Sequence, residues 1–549
     1  MKRFSILYSD DKNNKNDKNA ANAKSADFQR DGYDFTKVLA DLNIREISRF
    51  TDLEPKETEY VLNVMTDFTS VEGDIRLRNG VLTDFLTLPK FFDAFESQME
   101  YFGMIREKLA LAKRNMLRAT GDVSAETSLL NYNKIVSACF FITLTYQTIF
   151  NLYREFKYFE VTSPRLIELK EFLTGLMENS AFKQLCEECQ IFTKHVNEGV
   201  IFDIEMKLNS ILRIVSLRLF DFRYVKPVET GLFYTIMRAL SIEEKKEQNQ
   251  KIYIEKTFTQ ESKISSADDA YLKSVLEFQI NLAARRLAAV YETLVDIFMN
   301  ISQELIFYKY ALRMIAYMNQ RGIPYCLAEI TDAPGNTGSS DNSDNSDNSD
   351  NSANFEFDGL CDITLTELFL SKESEKESES EVVKNDFNFS GFINIVTGAN
   401  QSGKTTFLRS FGSALMFART GLPVPAKRAK IDVFKNLYTH FQRYDAELKN
   451  EGQLDTELAE MAEIVYSADS RSVILMNESF SSTGIKDAAQ IACDVMGAFI
   501  HLKSRVVYVT HIPEIREKLE KSGRGVTADL YKTGQNADGS PTFKLEKVL

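Results

Sequence analysis

The sequence predicts two architectures in one chain: a long α-helical part, followed by an α/β part in which a parallel sheet is flanked by helices. Three observations predict this. Up to about Gln320 the chain is rich in Leu, Phe, Tyr, Ile, Glu and Lys, with apolar residues recurring every three or four positions and few breakers. From Asn388 the pattern becomes apolar strand, glycine-rich turn and helix, FINIVTGANQSGKTTFLRSFGSALMFA. Two later apolar runs, SVILMNES and SRVVYVTH, end in polar residues and are separated by helical stretches, the alternation that builds a helix-covered parallel sheet.

The chain has 549 residues, 44% hydrophobic and 26% charged. That is enough for a large core and roughly two to four domains, and it excludes a disordered chain. The net charge of -13 repels phosphate overall, so any contact with nucleic acid must come from a local basic face. Six cysteines without framework spacing point to a reducing compartment, and the expected location is cytoplasmic. The opening MKRFSILYSDDKNN has too short an apolar stretch for a signal peptide. The longest apolar run, Ile135 to Tyr153, carries Ser137, Thr143, Thr145, Gln147 and Asn151 and fits a buried helix better than a membrane span.

Four segments follow from composition. Residues 1–27 form a strand-like start and a polar stretch expected to be flexible. Residues 28–330 form the helical domain, whose only prolines before Gln320 are Pro55, Pro89, Pro164 and Pro227. From Asp268 to Gln320 there is neither Gly nor Pro, so this span is either one helix of about 80 Å or two helices with an unmarked corner. Residues 331–381 form a low-complexity seam, with DNSDNSDNSDNS at Asp341 to Ser352 and SKESEKESESE at Ser371 to Glu381. The Asp repeat lacks the glycine and terminal Glu of a calcium loop and reads as solvated linker. FEFDGLCDITLTELFL between them can supply a strand or two. Residues 382–549 form the α/β domain.

Gly398, four residues, then Gly403, Lys404 and Thr405 satisfy the phosphate-loop pattern, between a buried strand and a helix. Gly398, Ala399, Asn400, Gln401, Ser402, Gly403, Lys404, Thr405 and Thr406 are therefore candidate ATP-binding residues. The glycines let backbone N–H groups turn toward phosphates, Lys404 would bridge the outer phosphates, and Thr405 would ligate Mg2+. The strand Val473 to Met476 ends in Asn477 and Glu478. Glu478 suits the carboxylate that orients an attacking water. Asn477 stands where an aspartate usually holds a water on Mg2+, and an amide brings no charge, so weaker Mg2+ hold and slow turnover are expected. His511 closes a third strand within reach of the γ-phosphate region. Cys186, Cys189 and His195 lack a fourth ligand and read as helix, not as a metal site.

These residues resemble the ATPase domain of the MutS proteins of DNA mismatch repair. The likeness lies in TGANQSGKTTFLRS, GLPVPAKRAKI at Gly421 to Ile431, DTELAEMAEI at Asp455 to Ile464, LMNESFSSTGIKDA and VTH, and covers about Val382 to Tyr531. Upstream, ELIFYKYALRMIAYMNQRGIPYCLAEI resembles the family's lever, and SVEGDIRLRNGVLTDFL the start of its helical core. The resemblance implies an α-helical core/lever domain plus an α/β P-loop NTPase domain, ATP with Mg2+ as cofactors, a homodimeric clamp and DNA as partner. It also assigns Asn385 to the nucleotide site, while the family's usual aromatic beside the adenine falls on Val382.

Departures from the family carry their own expectations. The Asp455–Thr456 loop would reach the partner subunit's nucleotide where Ser-Thr is usual, and an Asp there repels a γ-phosphate. The mismatch-reading domain with its Phe-x-Glu wedge has no counterpart, so DNA would be held by backbone and shape. EEKKEQNQKIYIEK at Glu243 to Lys256 mixes both charges and reads as a connection, not a DNA clamp. The sequence ends at FKLEKVL, short of the family's dimerising segment, so either dimerisation would rest on the remaining surface or the chain is shortened. The rival reading is a nucleotide-gated structural clamp with little hydrolysis. An ABC-type chromosome-organising ATPase is disfavoured because no LSGG-like signature precedes VILMNE.

Overall fold

The computed structural model describes residues 4–8, 29–30, 33–67, 72–118, 126–195, 200–208, 214–224, 266–331, 354–365, 382–442, 450–512, 514–521, 528–536 and 538–548. The polar stretch of 9–27, the segment Glu243 to Lys256, the Asp repeat and the charge run of 371–381 lie outside the described residues.

In chain order the elements begin with β1 (Gln29–Arg30), β2 (Tyr33–Asp34), α1 (Phe35–Asp41), α2 (Ile44–Arg49), α3 (Pro55–Met65) and α4 (Glu72–Thr87). Next come α5 (Pro89–Arg118), α6 (Glu126–Tyr158), α7 (Pro164–Glu178), α8 (Ser180–His195), β3 (Val200–Leu208), β4 (Ile214–Tyr224) and α9 (Ser266–Gln320). Then follow β5 (Glu329–Thr331), β6 (Phe355–Leu360), β7 (Asn385–Phe389), β8 (Ile393–Thr397), α10 (Lys404–Thr420), β9 (Arg428–Asp432) and β10 (Asn436–Phe441). The chain closes with α11 (Asn450–Ser467), β11 (Ser472–Asn477), α12 (Ile485–His501), β12 (Arg505–Val509), α13 (Glu514–Lys521), β13 (Asp529–Gln535) and β14 (Pro541–Val548).

Pro55, Pro89 and Pro164 each stand first in a helix, where a missing N–H costs nothing and the fixed φ suits the first turn. Glu54 strengthens one of these starts, its N–H donating to Glu57 Oε2 at 3.1 Å. The Gly- and Pro-free span is a single helix of 55 residues, α9, without a corner.

The chain divides into two compact units. One comprises Thr87–Gln303 with Met1–Phe4, the other Ser5–Leu86 with Glu304–Leu549. In the first unit α6 packs on α5, α7 and α8. Phe91, Phe95 and Phe156 form an edge-on cluster, and Phe102 stacks on Phe298 at 4.3 Å between ring centres. By length and composition Lys134–Tyr158 is a helix able to cross a membrane, and half of its most apolar window is buried within the protein. Cys186 and Cys189 of α8 are buried, as is Cys139 of α6.

The second unit holds a six-stranded sheet of order β10-β11-β12-β8-β13-β14, parallel except for β14, and a four-stranded sheet of order β5-β9-β6-β7. β6, which comes from the segment FEFDGLCDITLTELFL, is one strand of the four-stranded sheet. The segment resembling the start of a helical core, α4, belongs to this second unit. α10 is buried on nearly all sides. Its Gly412 sits where a Cβ would come within 2.5 Å of Leu42 Cδ2 and 2.6 Å of Leu475 Cδ1, so the turn after α1 and strand β11 approach the helix from two sides. Phe387, Phe407 and Phe411 meet edge to face with ring centres 5.1 to 5.6 Å apart, and Phe357 joins them. Each such pair contributes about 0.5–1.5 kcal/mol beyond area burial.

The N-terminal residues are part of the same core. Arg78 of α4 is fully buried, its Nε donating to Leu7 O at 3.0 Å and its Nη1 to Thr420 O at 3.1 Å, on the last residue of α10. The cation lies 4.9 Å from the Tyr8 ring centre and completes the negative end of the α10 dipole. Glu304 of α9 accepts Ser5 Oγ at 2.7 Å and Ile6 N at 2.6 Å.

Candidate nucleotide-binding site

β8, β12 and β11 lie side by side and parallel, with Val396 opposite Val509 and Val509 opposite Asn477. Their carboxyl ends therefore open on one edge of the sheet, the edge at which open α/β sheets bind ligands. The loop after β8, the acid turn after β11 and His511 after β12 all lie there, which places Gly398–Thr406, Asn477, Glu478 and His511 together.

The loop closes on Gly403, whose φ of 86° is left-handed and open to glycine at little cost. Gly398 is required for a different reason: a Cβ there would fall 1.9 Å from Thr533 Oγ1 of β13. Thr533 Oγ1 and Ser402 Oγ hydrogen-bond at 2.8 Å, so β13 braces the loop from outside. Gly403 caps α10 without a side-chain hydrogen bond, which leaves the first backbone N–H groups of the helix for an anion.

Lys404 is buried, and its Nζ donates to Gly398 O at 3.0 Å and Ala399 O at 2.9 Å while standing 3.9 Å from Glu478 Oε1. Burial lowers its pKa and the Glu478 carboxylate opposes that shift. A desolvated ammonium spanning a loop of donors is a site for a polyanion. Thr405 Oγ1 donates to Asn477 Oδ1 at 3.0 Å, which leaves the hydroxyl lone pairs for a cation. The donor set fits ATP with Mg2+: Lys404 and the loop N–H groups for phosphates, Thr405 directly and Asn477 through water for the metal.

Glu478 Oε2 accepts His511 Nδ1 at 2.6 Å and His511 N at 3.2 Å. His511, expected at the γ-phosphate, is thus also the group that orients the carboxylate. Glu478 has φ 51°, a strained conformation for a non-glycine residue, and its neighbours hold it there. Its N–H donates to Val509 O at 2.9 Å, and Tyr508 Oη donates to Ser479 O at 3.0 Å. Ser479 Oγ lies 2.7 Å from Nδ1 of buried His440, whose Nε2 faces Glu457 O at 3.2 Å. Burial pushes His440 down to about 4, so near neutral pH the ring is uncharged, and Ser479 Oγ also donates to His440 O at 3.1 Å. Glu457 Oε2 accepts Phe480 N at 2.7 Å and completes the second row.

One sequence expectation changes here. Asp455 and Thr456 lie in helix α11 and not in a loop, with Thr456 Oγ1 donating to Gly452 O at 2.9 Å, because DTELAEMAEI is strongly helix-forming. The amide of Asn385 is engaged by β14: its Oδ1 accepts Leu545 N at 2.8 Å and its Nδ2 donates to Phe543 O at 3.4 Å. His440 and the brace Thr533 lie outside the motifs quoted above, and within the blocks that hold Glu457, Ser479 and Tyr508 nothing in the sequence sets these residues apart.

The family model for MutS domain V matches residues 394–543, which span the loop, the acid turn and the sheet edge. Over these residues the chain is similar to domain V of the MutS family. The relatives match that region. The DNA mismatch repair protein MutS of Persephonella marina is 31% identical over 167 residues, 29% of this chain and 19% of the relative. Its counterpart in Caldanaerobacter subterraneus subsp. tengcongensis is 33% identical over 136 residues, 24% and 15% of the two chains. MutS protein homolog 4 of Candida albicans is 29% identical over 157 residues, 29% and 19% of the two. The likeness spans less than a fifth of each relative's length. Domain V is the α/β part of the molecule, and the site just described lies within it.

Proposed function

We propose that the chain binds ATP with Mg2+ at Gly398–Thr406, hydrolyses it slowly, and works as a homodimeric clamp on DNA held by backbone charge and shape. The carrying observation is the convergence of buried Lys404, the Thr405–Asn477 pair and the Glu478–His511 pair on one sheet edge. In this reading Lys404 and the loop N–H groups hold the outer phosphates. Glu478, aimed by His511, takes a proton from the water that attacks the γ-phosphorus, and the bond to the ADP oxygen breaks. Mg2+, when bound, supplies charge neutralisation at the phosphate oxygens. The relatives' names include DNA mismatch repair, which supports DNA as partner. The six free thiols accord with a cytoplasmic location.

Asn477 supports a second reading, a nucleotide-gated structural or protein-binding clamp with little or no hydrolysis, because its amide brings no charge to the metal side. Measured ATP occupancy and turnover separate the two: occupancy without turnover selects the second. Light scattering with saturating nucleotide tests the dimer, and a chain that stays monomeric at high concentration overturns it. A salt series with matched, mismatched and branched duplexes tests the partner. Backbone binding falls steeply with salt and ignores a single mismatch. A mismatch preference of about tenfold, roughly 1.4 kcal/mol, would reveal a reader of mispairs. No binding at low salt would move the assignment to a protein partner.

A further inference from the structure

The helical unit carries a cleft of about 570 Å3, lined by Lys90 at the start of α5 and by Arg154, Glu155, Lys157, Tyr158 and Phe159 at the end of α6. Its volume lies within the range of small-ligand clefts, about 300–1,000 Å3. Half of the lining residues are cations, in a chain whose net charge is -13. Glu155 is the one carboxylate among them, so the cleft stays positive where the molecule as a whole is acidic. Among the described residues the side chains of Lys90, Arg154 and Lys157 enter no ion pair, and their charge is open to a ligand.

Helix stability does not account for this grouping. Lys157 lies in the last turn of α6, where a cation offsets the negative end of the helix dipole. Lys90 is the second residue of α5, at the positive end of that helix, where a cation is disfavoured and no acidic residue stands in the first turn to offset it. Cations brought together from two helix ends, one of them against its own dipole, fit an anion.

The cleft also offers a ring. Tyr158 is 81% exposed. It meets Phe159 edge-on at 4.9 Å between ring centres, and Phe159 leans on Phe91 at 5.6 Å, so the exposed ring is footed on the buried cluster of Phe91, Phe95 and Phe156. A single exposed aromatic is ordinary. One held on a rigid base beside three uncommitted cations has the composition that takes an unpaired nucleic-acid strand, the ring stacking a base while the cations track the phosphates. A paired duplex keeps its base faces inside the stack and presents its backbone and groove edges. An acidic peptide would use the cations and leave the ring idle.

We infer that this cleft is a single-strand site in which Tyr158 stacks an unpaired base and Lys90, Arg154 and Lys157 hold the flanking phosphates, a reading that rests on DNA as the partner and narrows it to duplexes with a tail, flap or branch of unpaired bases.

The test measures binding of the whole chain to a blunt duplex, to the same duplex with a tail of about 16 thymidylates, and to that duplex with an abasic tail of equal length, each across a salt series. The wild type binds the thymidylate tail on the order of tenfold more tightly than the blunt duplex. Tyr158→Ala removes that advantage and Tyr158→Phe, which keeps the π-face, retains it. Lys90→Gln, Arg154→Gln and Lys157→Gln combined lower the salt slope for the tailed duplex by about 2, roughly 0.7 for each phosphate contact. The chain contains no tryptophan, so in Tyr158→Trp the only indole stands in the cleft, and oligothymidylate quenches its emission while the abasic strand does not. An abasic tail bound as tightly as thymidylate, a tail advantage that survives Tyr158→Ala, or poly-glutamate that competes as well as oligothymidylate overturns the single-strand site, the last in favour of an acidic protein partner. A wild type that binds the blunt duplex and gains nothing from the tail overturns it and leaves DNA as the partner. A wild type that binds none of the three removes both.

Discussion

Thr405 of α10 donates its hydroxyl proton to the side-chain oxygen of Asn477 at the end of β11, across 3.0 Å. A neutral pair thus stands on the metal side of the site, one residue from the carboxylate of Glu478. Asn477→Asp adds a negative charge there and tightens Mg2+, with turnover rising on the order of tenfold. Glu478→Gln removes the water-orienting carboxylate and leaves ATP bound but uncleaved. Metal titrations and single-turnover measurements check both. A rate that drops in Asn477→Asp would mean the amide is tuned for this chemistry.

Lys404→Ala removes the one ammonium that spans the loop and abolishes measurable ATP binding. The acidic protein supplies little other counter-charge for the outer phosphates. Equilibrium binding with labelled nucleotide checks this, and unaltered affinity would refute the site.

Gly412→Ala places a methyl carbon between Leu42 and Leu475, both fully buried or nearly so. Helix propensity alone favours Ala by about 1 kcal/mol. Overpacking costs about 1–3 kcal/mol and wins, because contacts near 2.5 Å on two sides leave no direction in which to yield. Denaturant unfolding that shows equal or greater stability would mean that both leucines can move aside.

Glu304 accepts two hydrogen bonds from the N-terminal segment, yet burial pushes its pKa from 4.5 to about 7. The folded protein therefore keeps a proton that the unfolded chain loses between those values. Stability from this group is full below about pH 4.5 and declines as pH rises toward 7. The partly exposed position limits the effect to on the order of 1–3 kcal/mol. Glu304→Gln flattens that part of the profile. Parallel wild-type and variant curves of unfolding free energy from pH 5 to 7.5 would contradict it.

The elements built from neighbouring residues were legible in the sequence. The run from Ile393 to Thr420 is strand, loop and helix because β-branched residues, two loop glycines and a proline-free apolar stretch follow in order within thirty positions. The ends of β11 and β12 were legible for the same reason. What depended on distant residues was not. Nothing local in Asp41 announces that its carboxylate accepts Thr439 Oγ1 at 2.7 Å, or that Arg78 will be buried against the end of α10. For DTELAEMAEI the resemblance points to a loop while the segment's own propensity favours the helix it forms. Locally Phe543 is one apolar residue in a polar terminal stretch. Only pairing with β13 and the Asn385 amide bring it to the phosphate loop.

The second unit joins Ser5–Leu86 to Glu304–Leu549, with Thr87–Gln303 lying between them in the chain. On the ribosome the first piece is therefore finished long before its partners exist. At about 5–20 residues per second the intervening stretch alone takes on the order of 10–45 s to synthesise. Throughout that interval Ile6, Leu7, Val38, Leu39 and the Arg78 guanidinium, all buried in the finished protein, have no surface to cover them. The phosphate-loop helix whose last carbonyl Arg78 meets, and β10 against which α1 packs, are still untranslated. Productive folding of the nucleotide domain is then post-translational, and the nascent chain is most open to aggregation or chaperone capture at its beginning, not at its newest end.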